Sequence, residues 1–186
     1  MEKVFFAIVF LGVTMLHLFF QNIFYNLPLI LVFCLILFVF YTDFVYFIIP
    51  NWLNLSIFFL CPFGFLFQEH MPSYLSSIIA FTIIFFGVGT FFFLVNNFGG
   101  GDWKMLSALA PWLGVLKLLD FFIIMSLVGG VEIVVVLFLR KLIPENSRLR
   151  KQGKMRRILR KKEIPYGIAI ATAAIICLIP VFHVYK

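Results

Sequence analysis

The residues of this chain best suited to acid–base chemistry are two aspartates, Asp43 and Asp102. Asp43 stands in an apolar run that ends at Pro50-Asn51, and Asp102 directly follows Gly99-Gly100-Gly101. Hydrolysing a peptide bond without a metal or a nucleophilic side chain requires an activated water. Two carboxylates held close together cannot both ionise readily, so they share a proton. The ionised one takes a proton from the water, and the protonated one hydrogen-bonds the scissile carbonyl and donates to the developing oxyanion. The three glycines carry no side chains, so a substrate backbone or a partner helix can approach Asp102 closely. Each acid alone also fits an ordinary role. Asp102 could cap a helix, and Asp43 could be a solvated boundary residue if its segment ended early, at Tyr41.

What must position these acids is a set of membrane helices. Hydrophobic residues make up 63% of the chain, charged residues only 12%, and Phe occurs 27 times. A soluble domain carries about twice that share of charge, so there is too little polar surface here to coat a core in water. A spanning helix needs about 20 mostly apolar residues. The candidate segments are Val4–Phe20, Leu27–Ile48, Leu53–Phe67, Tyr74–Val95, Trp103–Leu116, Phe121–Leu139 and Tyr166–Val184. Two of them are short, and Pro111 can kink or shorten the fifth. The expectation is an all-α membrane protein, a polytopic bundle of six or seven transmembrane helices, forming one domain over residues 1–186 with a basic loop at 140–163. Val4–Phe20 reads as a first span and not as a signal peptide, because it lacks a small-x-small cleavage site. If the second segment stays helical up to Pro50, Asp43 lies about 10 Å below its end, at 1.5 Å per residue. An ionised carboxylate there is costly unless paired or wetted.

The net charge of +7 is not a nucleic-acid signal, because 11 of the 15 basic residues lie between Arg140 and Lys162. With seven crossings, 13 basic residues fall on one side and two, Lys117 and Lys186, on the other. The positive-inside rule then puts the N-terminus and the basic loop in the cytoplasm. The same parity places Asp43 and Asp102 at that cytoplasmic face. The loop itself is expected to meet anionic headgroups, at about 1 kcal/mol per basic residue.

The remaining polar residues offer less. Cys34, Cys61 and Cys177 stand singly, and His17, His70 and His183 are scattered, so neither a metal nor another cofactor is expected. Lys104 does not share a helix face with Asp102 and reads as a snorkelling residue. Trp52, Trp103 and Trp112 include candidate interface anchors, and Asp120 with Lys117 reads as outer-loop charge. Glu132, deep in the sixth segment after Gly129-Gly130, could hydrogen-bond a neighbouring helix as a neutral acid or support the aspartates. The glycines before it fit close helix packing.

Several of these motifs resemble one family. Gly99-Gly100-Gly101-Asp102-Trp103-Lys104 is similar to the G-x-G-D signature of membrane aspartyl proteases, in the G-G-G-D-x-K form of type IV prepilin peptidases. Asp43 with Ile49-Pro50-Asn51 resembles the family's first aspartate and its downstream I-P-N. Ile164-Pro165-Tyr166-Gly167 resembles its V-P-Y-G. The resemblance implies cleavage of prepilin-like or preflagellin-like leader peptides at the cytoplasmic face of the cell membrane, in the service of pilus assembly or secretion. Asp43 and Asp102 would be the catalytic pair, with Gly99, Gly100, Gly101, Lys104, Pro50 and Asn51 shaping the site. It implies prepilin-like membrane proteins and the lipid bilayer as partners, and no nucleic acid. The stretch Phe44-Val45-Tyr46-Phe47-Ile48 departs from the family, which often places basic residues there. Without cysteine pairs or space for an N-methyltransferase domain, the chain resembles the short, peptidase-only members. The competing reading is a proton-coupled small-solute transporter using Asp43, Asp102 and Glu132, although no paired half-helices are evident. A third is an inactive relative that assembles with secretion machinery.

Overall fold

The computed structural model describes residues 26–67, 71–91, 100–143 and 165–182. Among these residues every regular element is a helix. The helices are α1 (Asn26–Tyr46), α2 (Asn51–Phe67), α3 (Tyr74–Phe91, with a π-helical turn over Ile83–Val88), α4 (Gly100–Leu142) and α5 (Tyr166–Phe182). By length and composition α1, α3 and α4 can cross a membrane, and α2 and α5 are shorter apolar helices. The outer surface agrees with a lipid solvent: Leu116 is 89% exposed and Leu66 71%, a costly arrangement in water. The first predicted segment, Val4–Phe20, most of the basic loop, His17, His70 and His183 lie outside the described residues.

Each helix buries one stripe. Leu29, Val32, Ile36 and Val39 on α1, and Leu53, Ile57 and Cys61 on α2, recur every three or four residues and are buried, as one face of a 3.6-residue helix requires. On α5 the stripe is small, with Ala169 and Ala173 fully buried. Small residues let backbones approach where the solvent gives no apolar drive; Gly129 of α4 faces Ala169, where a Cβ would make ordinary contact at 3.7 Å. Trp112, expected among the interface anchors, is instead wholly buried. Its Nε1 donates to the Ile57 carbonyl oxygen (2.9 Å), and Gly64 leaves room for the ring, which a Cβ would approach to 2.8 Å.

The central feature is a reversal inside α4. Gly114 has φ +64° and ψ 172° and splits the helix into two arms, 100–113 and 115–142. A straight helix would separate Leu106 from Met125 by roughly 28 Å at 1.5 Å per residue. Both line one cavity, with Tyr166 and Ile170 of α5, so the second arm runs back alongside the first. The helical bond that Val115 N–H would give to Pro111 is lost. Ser76 Oγ accepts the Val115 N–H (2.9 Å) and Ser77 Oγ donates to the Pro111 carbonyl oxygen (2.7 Å). Both serines belong to the first turn of α3, where Ser73 Oγ also accepts the Ser76 N–H. Glycine is needed at the turn for its positive φ and for space, since a Cβ there would stand 2.5 Å from Pro72 Cβ. The two arms correspond to the fifth and sixth predicted segments, but the turn is one residue and not the loop expected around 117–120. Lys117, expected in that loop, lies in the second arm and donates to the Cys177 carbonyl oxygen (3.4 Å).

Helix α1 ends before the predicted Ile48. Phe47 takes φ +57° and its N–H bonds the Asp43 carbonyl oxygen at 2.9 Å, the left-handed termination usually given to glycine. For a residue with a Cβ this costs about 1–2 kcal/mol. Its consequence is that Asp43 occupies the last turn of α1, not a position 10 Å below the helix end. It is nevertheless only 5% exposed, which removes the solvated-boundary reading.

Candidate functional site

The three sequence motifs meet at one end of the bundle, and Ile49 is the piece that joins them. Pro50 keeps Ile49 out of the helical region, so the chain leaves α1 extended and enters α2 at Asn51. Ile49 is buried (7% exposed). On one side it packs against Gly101, where a Cβ would stand 3.3 Å from Ile49 Cβ. On the other it packs against Gly167, where a Cβ would stand 2.9 Å from Ile49 Cδ1 and 2.7 Å from Asp43 Oδ2. Gly167 therefore leaves the space that the Asp43 carboxyl occupies. Among the described residues nothing surrounds a Cβ at Gly100 within 4 Å, so the backbone two residues before Asp102 is uncovered. Gly99 lies outside the described residues.

Polar contacts tie the same motifs together. Lys104 Nζ donates to Asn51 Oδ1 (2.9 Å), and Asn54 Nδ2 donates to the Gly101 carbonyl oxygen (3.4 Å). Lys104 thus clamps the start of α4 to the start of α2, a role that differs from the snorkelling expected of it. Asn54 is buried. No motif marks it in the sequence, although a lone amide inside an apolar segment is the kind of residue that must find a partner in lipid. Trp103 packs against Gly89 of α3, where any Cβ would collide with the indole.

Asp102 stands in the first turn of α4, half-buried. It and Glu132, from the two arms, both lie within electrostatic reach of the Asp43 carboxyl. A straight α4 would hold Asp102 and Glu132 about 45 Å apart at 1.5 Å per residue, so the reversal at Gly114 is what gathers three acids at one end. The backbone amides of Gly167 and Ile168, in the first turn of α5, face the Asp43 carboxyl. These two amides are the hydrogen-bond donors the carboxyl has from the backbone, at the positive end of a helix, while Oδ2 itself is left without a partner. Among the described residues no cluster of His, Cys, Asp and Glu has the makings of a metal site.

Two cavities flank this end. One of about 400 Å³ lies on the Lys104 face, between Asn51, Asn54 and the rings of Phe58, Phe81 and Phe85. The other, about 530 Å³, is walled by Leu106, Phe122, Met125, Tyr166 and Ile170. Leu106 is one turn along the helix from Asp102 and on the same face, so this second, apolar cavity lies beneath the acids. Carboxyls held beside backbone amides, with an apolar cavity one helical turn away, have the groups that proton transfer needs.

No curated protein and no solved structure matches the chain. The profile of the type IV leader peptidase family matches residues 29–134, a stretch that contains Asp43, Ile49-Pro50-Asn51, Gly99-Gly100-Gly101-Asp102 and Glu132. With that match covering more than half of its length, the chain belongs to the type IV leader peptidase family.

Proposed function

We propose that this protein is an aspartic endopeptidase that removes the leaders of type IV prepilin-like or preflagellin-like proteins at the cytoplasmic face of the membrane. The observation that carries the reading is the convergence of Asp43 and Asp102 through Ile49, Gly101 and Gly167, in a chain of the leader peptidase family. One aspartate, ionised, takes the proton of a water lying between the pair. The other, protonated, hydrogen-bonds the scissile carbonyl oxygen. Attack gives a tetrahedral diol, whose collapse breaks the C–N bond as a carboxyl proton passes to the leaving amine. Substrates that continue into an apolar helix after the cleaved bond would set that helix in the apolar cavity beneath the acids. The reversal at Gly114 supports the orientation, because it returns both arms of α4 to the Asp43 end, as the count of basic residues requires.

The test is co-expression with a short membrane protein carrying a basic leader, a glycine and an apolar stretch, followed by mass spectrometry of its N-terminus. The expected result is cleavage beside the glycine by the wild type and none by Asp102→Asn. Uncut substrate with the wild-type enzyme, or cutting elsewhere in the apolar stretch, would count against the reading.

A further inference from the structure

Glu132 is the titratable group of this end that the dyad does not use. Both of its carboxyl oxygens are buried without a hydrogen bond, and the same holds for Asp43 Oδ2. Its position on the second arm is set by packing. Gly129, three residues earlier and on the same face, meets Tyr166 and Ala169 of α5, where a Cβ would stand 3.6 and 3.7 Å from the nearest atoms. Between those two α5 residues lies Gly167, which packs against Asp43 Oδ2. Advancing from Gly129 to Glu132 moves about 4.5 Å along the axis, past the start of α5 and toward Asp43. Asp43 is the charged neighbour with which Glu132 interacts, and no cation hydrogen-bonds it among the described residues.

Two carboxyls within electrostatic reach of each other, Glu132 with both oxygens buried and unpaired and Asp43 with Oδ2 unpaired, are satisfied by one proton. A protonated acid supplies an O–H donor and its neighbour accepts it. The cost of a charge inside the membrane favours that solution over two ionised groups. We infer that Glu132 is a positioning residue for Asp43: its carboxyl carries a proton and donates a hydrogen bond, directly or through one water, to Asp43 Oδ2, which leaves Oδ1 for the reacting water. This rests on the peptidase reading of Asp43.

The role is tested with Glu132→Gln, which keeps an N–H donor, and Glu132→Leu, which has none and suits a lipid-facing helix. With a fluorogenic peptide carrying a basic leader, a glycine and an apolar segment, Glu132→Gln is expected to keep kcat within about threefold. Glu132→Leu is expected to lose about tenfold to a hundredfold in kcat with KM little changed, the size of a hydrogen bond to a charged group. Its abundance and Tm in detergent should stay at or above wild type. Beside the band of the dyad's own shared proton, a second protonated-carboxyl infrared band should be present in the wild type and in Asp102→Asn, vanish in Glu132→Gln and shift in Asp43→Asn, whatever the peptide assay gives. Wild-type kcat in Glu132→Leu, equal losses in Glu132→Leu and Glu132→Gln, or a second band untouched by Glu132→Gln would each overturn the inference. An inactive Asp43→Asn beside a fully active Glu132→Leu would leave the dyad standing and remove only Glu132. An active Asp43→Asn would instead remove the dyad.

Discussion

The two ends of the bundle both break helices, and they differ in how completely the polar groups around the break are paired. At the Gly114 end the break releases one N–H and one carbonyl, and Ser76 and Ser77 take both. At the Asp43 end α1 stops on a left-handed Phe47, and the buried side-chain polar atoms left without a hydrogen bond among the described residues all belong to this neighbourhood: Asp43 Oδ2, Asn54 Oδ1, Trp103 Nε1 and both oxygens of Glu132. In a membrane an unsatisfied polar group has no water to fall back on. A fully paired break is a hinge of the scaffold. A break beside unpaired buried groups is a place where a water or a substrate can find hydrogen-bond partners.

Substitutions at the two ends should therefore fail differently. The largest effect is expected for Gly114→Ala, where a Cβ meets Pro72 and Ser76 and the φ is unfavourable. It should destabilise the fold by more than about 3 kcal/mol, read as lost Tm and lost protein, while whatever remains folded keeps its kcat. Gly167→Ala should do the reverse. Its Cβ would push on Asp43 Oδ2 and Ile49, so kcat should fall by about a hundredfold, the cost of an ångström of misplacement, while Tm drops far less than in Gly114→Ala. Equal stability losses in the two glycine variants would erase the contrast between the ends.

Smaller changes sharpen it. Ser77→Ala strands the Pro111 carbonyl and is expected to cost about 1–3 kcal/mol of stability, measured by denaturation in detergent, with cleavage per folded molecule unchanged. Lys104→Met breaks an exposed clamp to Asn51 and should cost under about 1 kcal/mol. Its mark should be a raised KM, because the clamp borders the cavity on the Lys104 face and not the acids.

Much of this architecture was legible in the chain. The apolar segments marked α1 to α5, because the cost of unpaired backbone in lipid leaves helix as the form they can take. Asp43, Pro50-Asn51, Gly100-Gly101-Asp102 and Pro165-Tyr166-Gly167 were visible as short motifs. Charge parity puts the two aspartates at one face, and the family resemblance makes them a pair. The reason they meet was hidden: Ile49 and Gly167 stand in those motifs, but nothing in the motifs shows that Gly167 packs against Ile49 and Asp43, a contact across more than a hundred residues of chain. Gly114 gave no sign of its role, since one glycine after a proline does not reveal that two serines of another helix will take the bonds it breaks. The partners of Lys104 and Trp112 are hidden for the same cause. A charged or amphipathic residue near a segment end is ordinarily an interfacial anchor, and only the neighbouring helix shows that Asn51 and Ile57 hold them instead.

The claim that Asp43 and Asp102 work as one unit has a direct test in single-turnover cleavage by the wild type, Asp43→Asn, Asp102→Asn and the double variant, reconstituted in liposomes. Groups that act together are non-additive. Each single variant is expected to lose at least about a thousandfold, and the double variant should fall no further. Cleavage at the wild-type rate by either single variant, or losses that multiply in the double variant, would contradict it.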